Sequence, residues 1–123
     1  MVGYLIDRIM IVFFLLTFNI YGEDSGYQIY KNSCAQCHIE KTTEFVDNLS
    51  LKAPPIDAIT RQIKYHYRRK EEFIQYLVDF LSQPDAEKSV CKPCIKRWGL
   101  MPQIDIPDEE KQSVALWMFK NFK

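Results

Sequence analysis

Cys34-Ala35-Gln36-Cys37-His38 is the stretch on which the reading of this chain turns. On a helical turn, positions i and i+3 share a face, so the two sulfurs can address one edge of a single flat ligand. The imidazole of the next residue can swing beneath that ligand's centre. C-x-x-C-H is the attachment pattern of a covalently bound c-type haem, held through thioethers from Cys34 and Cys37 with His38 as an iron ligand. Far downstream, Gly99-Leu100-Met101-Pro102 offers a thioether in a turn framed by Gly and Pro, a setting that can hold a Met sulfur over the other haem face. The expected iron site is therefore His38 and Met101, with one haem c per chain.

These motifs resemble the class I (His/Met) monohaem cytochrome c family. Tyr27 to Ser33 is similar to the family's N-terminal helix, Ala53-Pro54-Pro55-Ile56 to its mid-chain proline turn, and Ser113 to Phe119 to its C-terminal helix. One departure is Ile39, where the family often carries Gly. The resemblance implies an all-α fold of about four to five helices wrapped around one haem, with crossed terminal helices. Gly26 and Tyr30 against Val114 and Trp117 form the expected contact. It also implies an electron-transfer role rather than catalysis, with larger redox proteins as donor and acceptor.

Upstream, Arg8 precedes an apolar run from Ile9 to Phe18, and Asn19-Ile20-Tyr21-Gly22 leads into polar residues. That is the layout of a secretory signal peptide over residues 1–22, with the haem domain expected at 23–123. The apolar run is shorter than the roughly 20 residues a membrane span needs. Retention as an N-terminal anchor stays open, and membrane association is expected only in that case. Export to the periplasm, soluble or anchored, suits both covalent haem attachment and disulfides.

Without the leader about a hundred residues remain, few enough that side chains alone give a marginal core. A buried macrocycle would supply much of it. Lys plus Arg and Asp plus Glu are 16 each, and removing Asp7 and Arg8 keeps the balance. Nucleic-acid binding, which calls for a basic excess, is not expected.

Helical spacing runs from about Ser25 to Cys37 and, amphipathically, from Glu71 to Leu81, where Ser82-Gln83-Pro84 stops it. The last helix opens with Asp108-Glu109-Glu110 after Pro107 and carries the stripe Val114, Trp117, Met118 and Phe122. No strand is evident. Phe45, Leu49, Ile56, Ile59, Leu77 and Leu100 are candidates for the haem wall.

Zinc is the chemical rival, because Cys91-Lys92-Pro93-Cys94 supplies a second pair. Yet 53 residues separate Cys37 from Cys91, against about 15–20 in double-knuckle sites, and zinc leaves the Met turn unexplained. Cys91 and Cys94 are open to four readings: a stiffening disulfide, an active dithiol, the relic of a haem site, or free thiols. His66 is the competitor to Met101 for the iron. Arg61, Lys64, Arg68 and Arg69, with Lys70, Lys92, Lys96 and Arg97, are candidates for a basic docking surface toward an acidic redox partner. Trp98 and Arg61 are candidates to meet the haem propionates. The alternative functions are a haem-based ligand-binding or sensor protein, which requires Met101 to be labile, and the haem c subunit of a larger oxidoreductase.

Overall fold

The computed structural model describes residues 24–44 and 51–123. The leader at 1–22 and the wall candidates Phe45 and Leu49 lie outside the described residues. Five α-helices follow in order: α1 (Asp24–Ser33), α2 (Ile56–His66), α3 (Lys70–Ser82), α4 (Lys92–Trp98) and α5 (Asp108–Asn121), with a 3₁₀ turn at Thr42–Glu44 between α1 and α2. No strand occurs among the described residues.

The expected boundaries hold where punctuation is strong. Pro107 stands immediately before α5, whose first turn carries Asp108, Glu109 and Glu110, negative charge at the positive end of the helix dipole. Gln83 caps α3 directly ahead of Pro84. α1, by contrast, stops at Ser33 rather than running to Cys37. Past Ser33 the chain tightens: Cys34 N and Ala35 N both donate to Tyr30 O, and Cys37 N and His38 N both donate to Cys34 O. This shared use of carbonyls is how helix ends satisfy their last acceptors, and it turns the C-x-x-C-H segment out of the helix axis.

α5 packs against α1, α2 and α3. Its contact with α1 is the expected one. A Cβ on Gly26 would stand 2.4 Å from Ser113 O and 2.5 Å from Trp117 Cβ, so only glycine permits this approach of the two backbones. One turn on, Tyr30 stacks on Trp117 with ring centroids 5.0 Å apart, and Phe122 meets Trp117 edge-on at 5.3 Å, arrangements that aromatic pairs favour. The predicted stripe Val114, Trp117, Met118 and Phe122 is buried throughout, joined by Ile63, Phe73, Leu77 and Leu81 from α2 and α3.

Two lysines seal this core from its ends. Lys111 is buried, with Nζ 2.9 Å from Ser82 Oγ and 3.2 Å from Asp108 Oδ1. Lys64 Nζ donates to Phe119 O at 2.7 Å and to Phe122 O, and lies 4.5 Å from the Phe119 ring centroid. It thus cross-ties α2 to the C-terminal carbonyls of α5, where a cation is favoured.

Candidate functional site

Between the helices lie two adjoining cavities that share Cys34, His38, Ile59, Phe80, Ser89 and Met101. The inner one is walled by Ile56, Ile63, Tyr76, Leu77, Leu81, Val114 and Met118 besides the shared residues. The outer one is lined by residues from three stretches, 33–38, 52–54 and 94–104, together with Ser89 and side chains of α2 and α3. Cofactor pockets are mostly apolar with a few placed polar groups, as here. The C-x-x-C-H segment and the Met turn, 63 positions apart from His38 to Met101, are thereby brought to one cleft.

His38 is fixed at several points. Its Nδ1 lies 2.7 Å from Pro54 O; a carbonyl only accepts, so Nδ1 carries the proton and Nε2 keeps its lone pair. That is the tautomer a metal-binding imidazole needs, oriented by a hydrogen bond from its other nitrogen. Burial pushes the imidazole pKa below 6.5 against the opposing pull of the Pro54 bond, which keeps the ring neutral. Tyr30 Oη donates to His38 O at 2.7 Å.

The residues that follow are pinned as well. Ile56 N donates to Ile39 O and Asp57 N to Glu40 O, while Asp57 Oδ1 accepts from Thr42 N at 3.0 Å and Thr42 Oγ1 at 2.7 Å. Among the described residues no non-glycine has positive φ, so Ile39 is accommodated without the conformation a glycine would be needed for.

Cys34 and Cys37 are free thiols, Cys34 half-buried and Cys37 exposed. Burial pushes the Cys34 thiol up to about 11, holding it protonated at neutral pH. Cys91 and Cys94, in contrast, form a disulfide with Cα atoms 5.2 Å apart. It closes the N-terminal turn of α4, where Cys91 Sγ also accepts from Cys94 N at 3.2 Å. The disulfide takes the second pair from any four-sulfur zinc site, and among the described residues no group of three or more His, Cys, Asp or Glu is placed to hold a metal.

Met101 reaches the cleft by way of Gly99, the C-cap of α4, at φ +80° and ψ −178°. That region is essentially open to glycine alone, and it lets the chain leave α4 sharply enough to bring Met101 inward. His66 is exposed and lines a separate polar groove beside α3, so it does not compete with Met101. The free thiols, the Nε2 lone pair, the thioether and the apolar walls fit a covalently held haem.

Other expectations are redirected. Trp98 does line the outer cavity, but its indole N–H donates to Leu51 O at 2.9 Å. Arg61 pairs with Asp57 at 3.5 Å and does not line the cleft. Of the basic group, Lys64 is committed to α5, Arg69 to Glu72 at 2.6 Å, and Lys92 to the carbonyls of Ala86 and Glu87. Ile56, Ile59, Leu77 and Leu100 line the cleft. Tyr76, Phe80, Ser89 and Ile104 were not foreseen. Tyr76 and Phe80 had a signal in the α3 pattern, as aromatic rings stacked with centroids 5.9 Å apart.

Fold and site together define an all-helical protein with a thiol-, imidazole- and thioether-lined apolar cleft. No family model matches the chain, and no solved structure matches it. An uncharacterized protein of Aquifex aeolicus (strain VF5) is 36% identical over 112 residues, covering 80% of this chain and 74% of the relative. The chain belongs to the same family as that protein. No helix among the described residues is long and apolar enough to cross a membrane.

Proposed function

We infer that this chain is a monohaem c-type cytochrome of the class I kind, an exported carrier that passes single electrons between larger redox proteins. The observation that carries the reading is the convergence of Cys34, Cys37, His38 and Met101 on one apolar cleft, with His38 Nδ1 spent on Pro54 O and Nε2 left for a metal. Bound there, the haem supplies the one-electron couple. The chain's own residues do the rest. Cys34 and Cys37 would anchor the macrocycle, His38 and Met101 would both ligate its iron, and the walls from α2, α3 and α5 would exclude water. With both ligands supplied by the chain no position would remain for substrate, which favours transfer over catalysis. A neutral thioether paired with an imidazole also favours the reduced state relative to two imidazoles.

The test is an optical spectrum of ferric and ferrous protein made in cells that attach haem to exported chains. A haemochrome of the thioether-linked type and a weak sulfur-to-iron band at the near-infrared edge are the expected results. Carbon monoxide binding by the native ferrous protein at neutral pH would instead speak for the ligand-binding reading.

A further inference from the structure

The outer cavity is lined by a sulfur that the foregoing reading leaves unused. Cys94 borders it together with Cys34, Cys37, His38 and Met101, yet is tied back to Cys91. We propose that the Cys91–Cys94 disulfide masks a second sulfur ligand, and that its reduction frees Cys94 to replace Met101 on the haem iron. The proposal rests on the haem reading given above.

Three observations support it. Cys94 and Met101 come from contiguous chain, α4 and the turn that follows it, and both border the space that His38 borders. The Met turn is lightly held: nothing lies within 4 Å of a Cβ built on Gly99, and Leu100 is 46% exposed. The chemistry of exchange also favours Cys94, since a thiolate is a stronger donor to ferric iron than a thioether.

The disulfide has a defined direction of opening. Cys91 is buried at 7% exposure while Cys94 is more open, so an incoming thiolate from a protein dithiol attacks Cys94 Sγ. Cys91 departs as a thiolate, with the Cys94 N–H already directed at its sulfur. The second thiol of the reductant then attacks the mixed disulfide and releases Cys94. Two electrons and two protons pass to the cysteine pair, and the reductant becomes a disulfide. On binding iron the Cys94 thiol loses its proton to solvent, and Met101 leaves as a neutral thioether.

The experiment compares full-length holoprotein with Cys91→Ser, which frees Cys94, and with Cys91→Ser/Cys94→Ser, which removes the disulfide without supplying a thiol. In the ferric state, Cys91→Ser is expected to lose the thioether-to-iron band, to gain the paramagnetic resonance of a thiolate-bound low-spin iron, and to show a lowered midpoint potential. The double variant is expected to keep the band. A Cys91→Ser protein with the band at full strength overturns the proposal, and so does equal loss in both variants, which would mean a loosened turn rather than a new ligand. In a second arm, the native holoprotein is treated with dithiothreitol, freed of it and alkylated in denaturant, which should label Cys91 and Cys94; a pair that stays unlabelled after excess dithiol also overturns it. Absence of haem on Cys34 and Cys37 in the unmutated protein defeats the electron-carrier reading itself. Attached haem with an unmoved band in Cys91→Ser defeats only the exchange of ligands.

Discussion

His38 is held by one side chain and two backbone carbonyls, and the turn after it by Asp57, and each makes a different demand on the sequence. The Tyr30 hydroxyl holds its carbonyl, the Pro54 carbonyl holds its Nδ1, and Asp57 holds the turn that follows. Asp57 is the member whose contribution can be titrated. Burial raises its pKa, but the hydrogen bonds from Thr42 and Ala58 and the charge of Arg61 outweigh this and leave it below 3.8. A depressed folded-state pKa contributes stability that is present above the unfolded value and is lost as pH falls through the folded one. Asp57→Asn should therefore cost about 1 kcal/mol at neutral pH. The gap from the parent protein should close below pH 3.8, as read by denaturant unfolding of the holoprotein. A gap that persists unchanged in acid would contradict the assignment. Gly99→Ala, which forces a side chain into a region kept for glycine, should strain the approach to Met101 by about 1–3 kcal/mol and weaken the sulfur-to-iron band. An undiminished band would show that the turn does not depend on it. At this scale the meeting of Cys34, Cys37, His38 and Met101 at one cleft was legible, because these side chains stand at telling spacings. The role of Pro54 was not, since every residue carries a carbonyl and only the fold selects one. Arg61 and Trp98 were misdirected for a related reason: a long donor takes the nearest acceptor that tertiary structure offers, here Asp57 and Leu51 O.

Among the elements, the crossing of α1 and α5 sets the frame against which the cleft is built. Gly26→Ala should gain up to about 1 kcal/mol in helix propensity. It also drives a Cβ into Ser113 O and Trp117 Cβ, both backbone-fixed, so overpacking wins and a net loss of about 1–3 kcal/mol is expected in thermal unfolding. Unchanged or raised stability would show that the helices do not meet as described. Lys64→Met should remove the tie between α2 and the end of α5 at about 1–2 kcal/mol, with the optical spectrum unaltered. A changed spectrum would place Lys64 nearer the cleft than the structure does. The two terminal helices were readable because caps, acidic first turns and apolar stripes agreed with one another. α4 was not. It has only seven residues, too few to show periodicity, and its Pro93 reads as a turn. The overextension of α1 has the same origin, because helical spacing continues through a tightened turn that no residue type announces.

As a whole molecule the chain has its core divided around a cleft that side chains leave open. α5 packs on α1, α2 and α3, while Ile59, Leu77 and Phe80 also border the cavity. A chain of this size has little stability in reserve, so the macrocycle is expected to complete the core. His38→Ala should consequently depress recovery of folded holoprotein, visible as lost near-ultraviolet circular dichroism, and wild-type recovery would count against its place in the site. Met101→Ala should keep the covalent haem but lose the sulfur-to-iron band and lower the midpoint potential. The balanced charge and the pairing of Arg61 with Asp57 and of Arg69 with Glu72 leave less free positive charge for docking than the linear sequence suggests. Such pairing is invisible until the helices form. The most direct measurement is the intact mass and absorption spectrum of the protein made in cells that attach haem to exported chains, followed by peptide mapping. The account predicts a coloured protein carrying one haem, linked through Cys34 and Cys37. A colourless protein at its unmodified polypeptide mass, folded and with both thiols free, would contradict it.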